Sequence, residues 1–129
     1  MMAASRPGPE QRRAIFQRGR AAEQQAAEYL QAQGLKLLGR NYRTPCGEID
    51  LIMRDATTLV FVEVRYRSSE SFCRPEETIN TAKQQRLRAA GEHYLQHHPA
   101  TVAEHCRFDI VTLTGSPDRP VYQWLTNAF

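Results

Sequence analysis

Lysine is almost missing from this chain: of 17 basic residues only Lys36 and Lys83 are lysines, and the other 15 are arginines. Cysteine is scarce too. Cys46, Cys73 and Cys106 form an odd, scattered set with no CxxC pair, which excludes a disulfide framework and a four-cysteine zinc site. These thiols are expected to be buried and reduced, in a cytoplasmic protein. No apolar run approaches the roughly 20 residues that a transmembrane helix needs. The opening MMAASRPGPEQRR has charge but no apolar stretch behind it, so neither a signal peptide nor a membrane partner is expected. What is present is ordinary for a globular chain: 129 residues, 41% hydrophobic and 24% charged, enough for one domain. The net charge of +3 and pI near 9.0 suit a polyanionic partner, and arginine's planar fork suits phosphate. A GC-rich genome produces the same arginine skew without such a partner.

Residues 1–13, with Pro7, Gly8 and Pro9 among polar neighbours, read as a flexible N-terminal tail, and 14–129 as a single domain. From Ala14 to Gln33 a stripe of Phe16, Gly19, Glu23, Ala27 and Leu30 has helical spacing, and Gly34 is the stop signal. Leu35 to Arg43 reads as a strand and Thr44–Gly47 as a turn. Glu48 to Arg54 and Thr58 to Arg67 are stronger strands. Pro75 is a good first-turn residue for a second helix running to about His97, with Ile79, Leu87, Ala90 and Tyr94 as its apolar stripe. Strands over Cys106–Leu113 and Val121–Leu125, joined by a turn at Gly115–Asp118, complete the order α-β-β-β-α-β-β.

The two central strands align themselves. With Arg54 opposite Leu59, the apolar pairs Met53–Val60, Leu51–Val62 and Ile49–Val64 fall on one side, as register selection requires. The other side carries Ile52–Phe61, Asp50–Glu63 and Glu48–Arg65. Two acids directly opposite have Cβ atoms ~5 Å apart, and at an effective dielectric near 20 they repel by ~3 kcal/mol. A raised pKa, a neighbouring cation such as Arg65, or a divalent metal such as Mg²⁺ relieves that repulsion. The plainer alternative is a solvated face with Glu48–Arg65 an ordinary cross-strand ion pair. Glu23 and Lys83 lie on the inward stripes of the two helices, where charged side chains are rare unless paired. The histidines read as structural, since His97 and His98 are adjacent rather than four apart. Asp109 reads as a hydrogen-bonding group at a sheet end, and Trp124 as a packing residue.

An acid on a first helix, an aspartate on a strand and E-x-K on the next strand is the pattern of the PD-(D/E)xK nuclease superfamily. Here it is Glu23, Asp50 in G-E-I-D-L-I, and Glu63-Val64-Arg65 in F-V-E-V-R-Y-R. From about Gly19 to Phe129 the chain more closely resembles the small bacterial YraN-type, endonuclease-like family. It shares G-x-x-A-E, Gly34, R-N-Y-R, F-V-E-V, Lys83, R-F-D-I-V and the closing N-A-F. The resemblance implies a restriction-endonuclease-like fold, a mixed sheet flanked by helices, related to archaeal Holliday-junction resolvases. It further implies Asp50 and Glu63 as ligands of Mg²⁺ or Mn²⁺, Glu23 as a supporting acid, and DNA, branched or otherwise structured, as substrate. Resolvase relatives act as homodimers, although no residue pattern here marks a dimer surface.

One departure matters. Arg65 stands where the E-x-K motif has lysine, and arginine keeps the charge but cannot serve as a base. Lys83, on the neighbouring helix, is the amine that could take over. Cys73 stands where the resemblance leads one to expect glycine. Three readings follow: a metal-dependent nuclease, a catalytically weakened nucleic-acid-binding module of the same fold, and an interaction protein without nucleic-acid binding.

Overall fold

In the computed structural model, residues 8–67, 79–99 and 105–129 are described, the side chains of 12–18 excepted. Helix α1 spans Pro9–Ala32 and strands β1, β2 and β3 span Lys36–Arg43, Glu48–Asp55 and Thr58–Arg67. Helix α2 covers Thr81–His97, β4 His105–Ser116 and β5 Arg119–Leu125. The order agrees with the sequence expectation, and two helix starts differ from it. Helix α1 begins at Pro9 rather than Ala14: proline is suited to the first turn, and the Gln11 side chain accepts from the Gly8 N–H at 3.0 Å. Helix α2 begins at Thr81 rather than Pro75, because Asn80 is extended and its Oδ1 accepts from the Lys83 N–H at 2.8 Å. Pro75 and Cys73 lie outside the described residues.

The five strands form one mixed sheet in the order β1-β2-β3-β4-β5, antiparallel except for the parallel β3–β4 pair. A parallel neighbour requires a crossover, and α2 supplies it. The alternation along β3 feeds two cores. Val60 and Val62 face α1 and its buried Ala22, Ala26, Ala27 and Leu30, while Leu59 and Phe61 face α2 and its Leu87, Ala90 and Tyr94. Helix α2 sits so close that a Cβ at Gly91 would lie 3.1 Å from the rings of both Phe61 and Phe108. This mixed sheet, flanked by helices, is a restriction-endonuclease-like fold. Among the described residues no helix is long and apolar enough to cross a membrane.

Cys46 and Cys106 are exposed, against the expectation of buried thiols. Cys46 occupies the tip of the Thr44–Gly47 turn, where the backbone closes on itself and leaves side chains outside.

Candidate functional site

The β2–β3 register is the one the apolar pattern selects, from Asp55–Thr58 through Met53–Val60 to Leu51–Val62. Beyond that pair the strands part from the expected ladder. Ile49 joins the core beneath α2, whereas Val64 packs on the α1 side, so the expected Ile49–Val64 pair does not form. Asp50 stands at this changeover. Its Oδ2 accepts the Val64 N–H at 2.9 Å, a side chain taking a ladder donor. The expected Glu48–Arg65 ion pair is also replaced. Glu48 lies 3.8 Å from Arg43 across the β1–β2 hairpin, and Arg65 turns to Glu63 on its own strand.

Glu63 is the centre of the charge cluster. Its side chain is only 7% exposed, with Oε1 3.3 Å from Arg65 Nη2 and 3.7 Å from Lys83 Nζ. Its other oxygen, Oε2, is buried and, among the described residues, has no hydrogen-bond partner, and the same holds for Nε of Arg65. Burial, and then the charge of Asp50, push the Glu63 carboxyl up to about 7, against the pull of Lys83 and Arg65. Burial also raises Asp50, opposed by the Val64 N–H and by Lys83. Each acid is perturbed by the other, and two carboxyls can hydrogen-bond only with a proton between them.

Glu23 reaches the same neighbourhood from α1. It is half-buried and its carboxyl is raised by burial and by Asp50, with an Asn41 hydrogen bond and Arg20 opposing. Glu23, Asp50 and Glu48 line a cleft of about 200 Å³ together with Gly19, Arg20, Asn41 and Arg43. Five residues singled out in the sequence, Glu23, Asp50, Glu63, Arg65 and Lys83, are thus linked through Asp50 and Glu63 although they come from four elements.

Asn41 and Asn80 were not singled out by the sequence reading. Asn41 has φ 49°, a left-handed conformation that asparagine tolerates, and Asn80 caps the turn carrying Lys83. Asparagine just before a helical pattern is a cap signal, and that signal was legible at Asn80.

The donor set suits a hard cation in one specific respect. Among the described residues no three His, Cys, Asp or Glu side chains form a metal-holding group. Mg²⁺, however, is commonly bound through one or two carboxylates, with water and substrate phosphate completing its octahedron. Asp50 and Glu63 are two carboxyls within each other's influence, and among the described residues Oε2 of Glu63 has no hydrogen-bond partner, so the residue types present fit such a cation. The histidines of α2 and its C-cap are engaged elsewhere: His93 Nδ1 is 2.7 Å from the Tyr42 hydroxyl, and His97 and His98 bond backbone oxygens one turn back. Asp109, fully buried, accepts from Arg107, from Trp124 Nε1 at 2.9 Å and from the Asn127 N–H at 2.9 Å. It ties the C-terminal segment to β4 and is the hydrogen-bonding group its sequence context suggests.

A restriction-endonuclease-like sheet with acids on β2, β3 and α1 defines the class. The chain belongs to the family described as "Uncharacterised protein family UPF0102", matched over residues 22–113, and the YraN-type resemblance points to the same family. It is 53% identical over 113 residues to a UPF0102 protein of Pseudomonas putida, covering 86% of this chain and 91% of that one. A UPF0102 protein of Nitrosococcus oceani is 48% identical over 112 residues, covering 87% and 90% respectively. A third, from Nitrosomonas europaea, is 48% identical over 112 residues, covering 87% and 92%.

Proposed function

We propose that this protein is a metal-dependent endonuclease that hydrolyses phosphodiester bonds in DNA, with branched or otherwise structured DNA as its substrate class. The observation that carries this reading is the pair of mutually perturbed carboxyls, half-buried Asp50 and buried Glu63, with one glutamate oxygen that has no hydrogen-bond partner among the described residues. Holding two acids together with a buried glutamate oxygen that lacks a hydrogen bond costs stability, and a bound divalent cation would offset that cost. Asp50 and Glu63 would hold Mg²⁺ or Mn²⁺, which when bound supplies charge neutralisation at the phosphate and activation of water.

The remaining roles follow from this chain's own atoms. Arg65, 36% exposed beside the acids, has a planar fork that can hold a phosphate in place. Lys83 brings a compact ammonium to the same glutamate oxygen, where it can orient the attacking water through Nζ. Glu23 backs Asp50 from α1. The basic isoelectric point fits a polyanionic substrate, and the cytoplasm is the compartment this reading assigns.

The arginine at position 65 favours one other reading, a nucleic-acid-binding module of the same fold with weakened cleavage. The test is a cleavage screen over duplex, flap, junction and single-stranded DNA with Mg²⁺ and with Mn²⁺. Metal-dependent products that disappear in Asp50→Asn support the nuclease. Salt-dependent binding without products on any substrate assigns the binding module.

A further inference from the structure

Asn41 stands inside β1 with a φ of 49°, a left-handed backbone that a strand does not ask for. Its neighbours keep the ladder: Arg40 pairs with Leu51 and Tyr42 with Ile49, a register that sets Asn41 across from Asp50. The left-handed region is costly for an L residue, and glycine and asparagine bear it best. Such backbone persists only where the surroundings enforce it, and it gathers at functional sites. The surroundings here are acidic. Asn41 lines the cleft of about 200 Å³ together with Glu23, Glu48 and Asp50, and among the residues lining that cleft it is the one neutral polar side chain. Arg43 is engaged with Glu48 at 3.8 Å. Glu23 takes its hydrogen bond from the Asn41 amide, which does more than Arg20 to keep the carboxylate ionised against burial and Asp50.

We infer that Asn41 is a positioning residue for the reaction centre: its amide fixes the Glu23 carboxylate beside Asp50, and the left-handed turn of β1 carries the amide there. This rests on the endonuclease reading and deepens it. Two demands together decide the residue type. Glycine meets the backbone demand but has no side chain to donate from. Aspartate tolerates the same backbone but brings a fourth carboxylate into a cleft that already holds three. Glutamine has the amide without the tolerance. Asparagine supplies a neutral donor and accepts the left-handed backbone. Asn41 thus acts on the acid pair through Glu23, not by touching metal or phosphate itself.

The experiment compares the full-length parent with Asn41→Gly, Asn41→Ala and Glu23→Gln. Thermal melting and the Glu23 side-chain carbonyl ¹³C resonance are measured in EDTA, alongside Mn²⁺ affinity and Mg²⁺-dependent cleavage. Asn41→Gly should melt above Asn41→Ala, since both lack the amide and only glycine takes this φ freely. The Glu23 resonance should nevertheless move in Asn41→Gly. Mn²⁺ affinity and kcat should fall about tenfold, the usual worth of a group that orients a metal's surroundings, with KM for DNA little changed. In the Glu23→Gln background, Asn41→Gly should leave Mn²⁺ affinity where it was. An Asn41→Gly variant with the parent's Glu23 resonance and metal affinity overturns the inference, since asparagine would then serve only the backbone. So does a loss of affinity that persists in full in the Glu23→Gln background. Asn41→Ala melting as high as Asn41→Gly overturns it too, because the position would then carry no strain. A Glu23 resonance that moves in Asn41→Gly, in a protein that binds no Mn²⁺ and cuts no DNA, would leave the amide's hold on Glu23 standing and remove the nuclease. A parent that cuts, matched by Asn41→Gly in resonance, affinity and kcat, would do the reverse.

Discussion

Lys83 Nζ and Arg65 Nη2 share one acceptor, Oε1 of Glu63, which they reach from α2 and β3 at 3.7 and 3.3 Å. The amine missing from the E-x-K position is thereby present at the acids from another element. If Lys83 serves the reaction, Lys83→Met should lower metal-dependent cleavage by roughly 10²–10⁴, the usual worth of one positioned catalytic group. Arg65→Lys should change cleavage little. A large gain in Arg65→Lys, with Lys83→Met still active, would return the role to position 65.

Stability should depend on pH through Glu63. Its carboxyl is raised from 4.5 to about 7 in the folded state, so the native protein holds that proton where the unfolded chain has lost it. This contribution is fully present below about pH 4.5 and is lost as pH rises through about 7. Glu63→Gln removes the titration. In EDTA at about pH 8 it should be more stable than the parent by roughly 1–3 kcal/mol, with little difference at about pH 5. Urea midpoints at the two pH values check this. A variant less stable than the parent at the higher pH would show that the Arg65 and Lys83 pairings outweigh the cost of burial.

Mg²⁺ should act in the opposite sense. Metal ligation needs both carboxyls ionised, so affinity should rise with pH toward and beyond about 7, and binding should release protons. Carboxyl resonances of Asp50 and Glu63 should move together on titration with Mg²⁺, and the melting temperature should rise in the parent but not in Glu63→Gln. Shifts spread evenly over the surface, with none focused on this pair, would count against a metal site.

Asp109 should matter for folding rather than chemistry. Removing its carboxylate in Asp109→Ala leaves Arg107 Nε, Trp124 Nε1 and the Asn127 N–H without this acceptor, while Arg107 keeps Asp55 through its terminal nitrogens, a loss of roughly 2–4 kcal/mol. Trp124→Phe removes one donor and should cost only about 1–2 kcal/mol. Trp124 is the only tryptophan, so its emission in Asp109→Asn reports this contact directly. Unchanged emission and stability would mean that the C-terminal segment is held by other contacts, such as the ring stack of Phe108 and Phe129.

The sequence by itself determined the element order and the central register, because both follow from local periodicity. Leu51, Met53, Val60 and Val62 can share one face in only one alignment, and that alignment is the observed one through Leu51–Val62. Ile79, Leu87, Ala90 and Tyr94, read as one stripe, are all buried. It likewise singled out the charged residues that the fold clusters into the candidate site, since inward-facing Glu23 and Lys83 are anomalous in any pattern. Only the tertiary structure decided how they meet. Extending a regular ladder one step further put Ile49 opposite Val64 and Glu48 opposite Arg65. In the fold Asp50 captures the Val64 N–H, Ile49 turns to the α2 core and Arg65 folds back onto Glu63. Pairwise strand rules have no term for a side chain competing with the ladder. The approach of α2, set by Gly91 against Phe61 and Phe108, brings Lys83 to Glu63 across a separation in sequence that no local pattern spans.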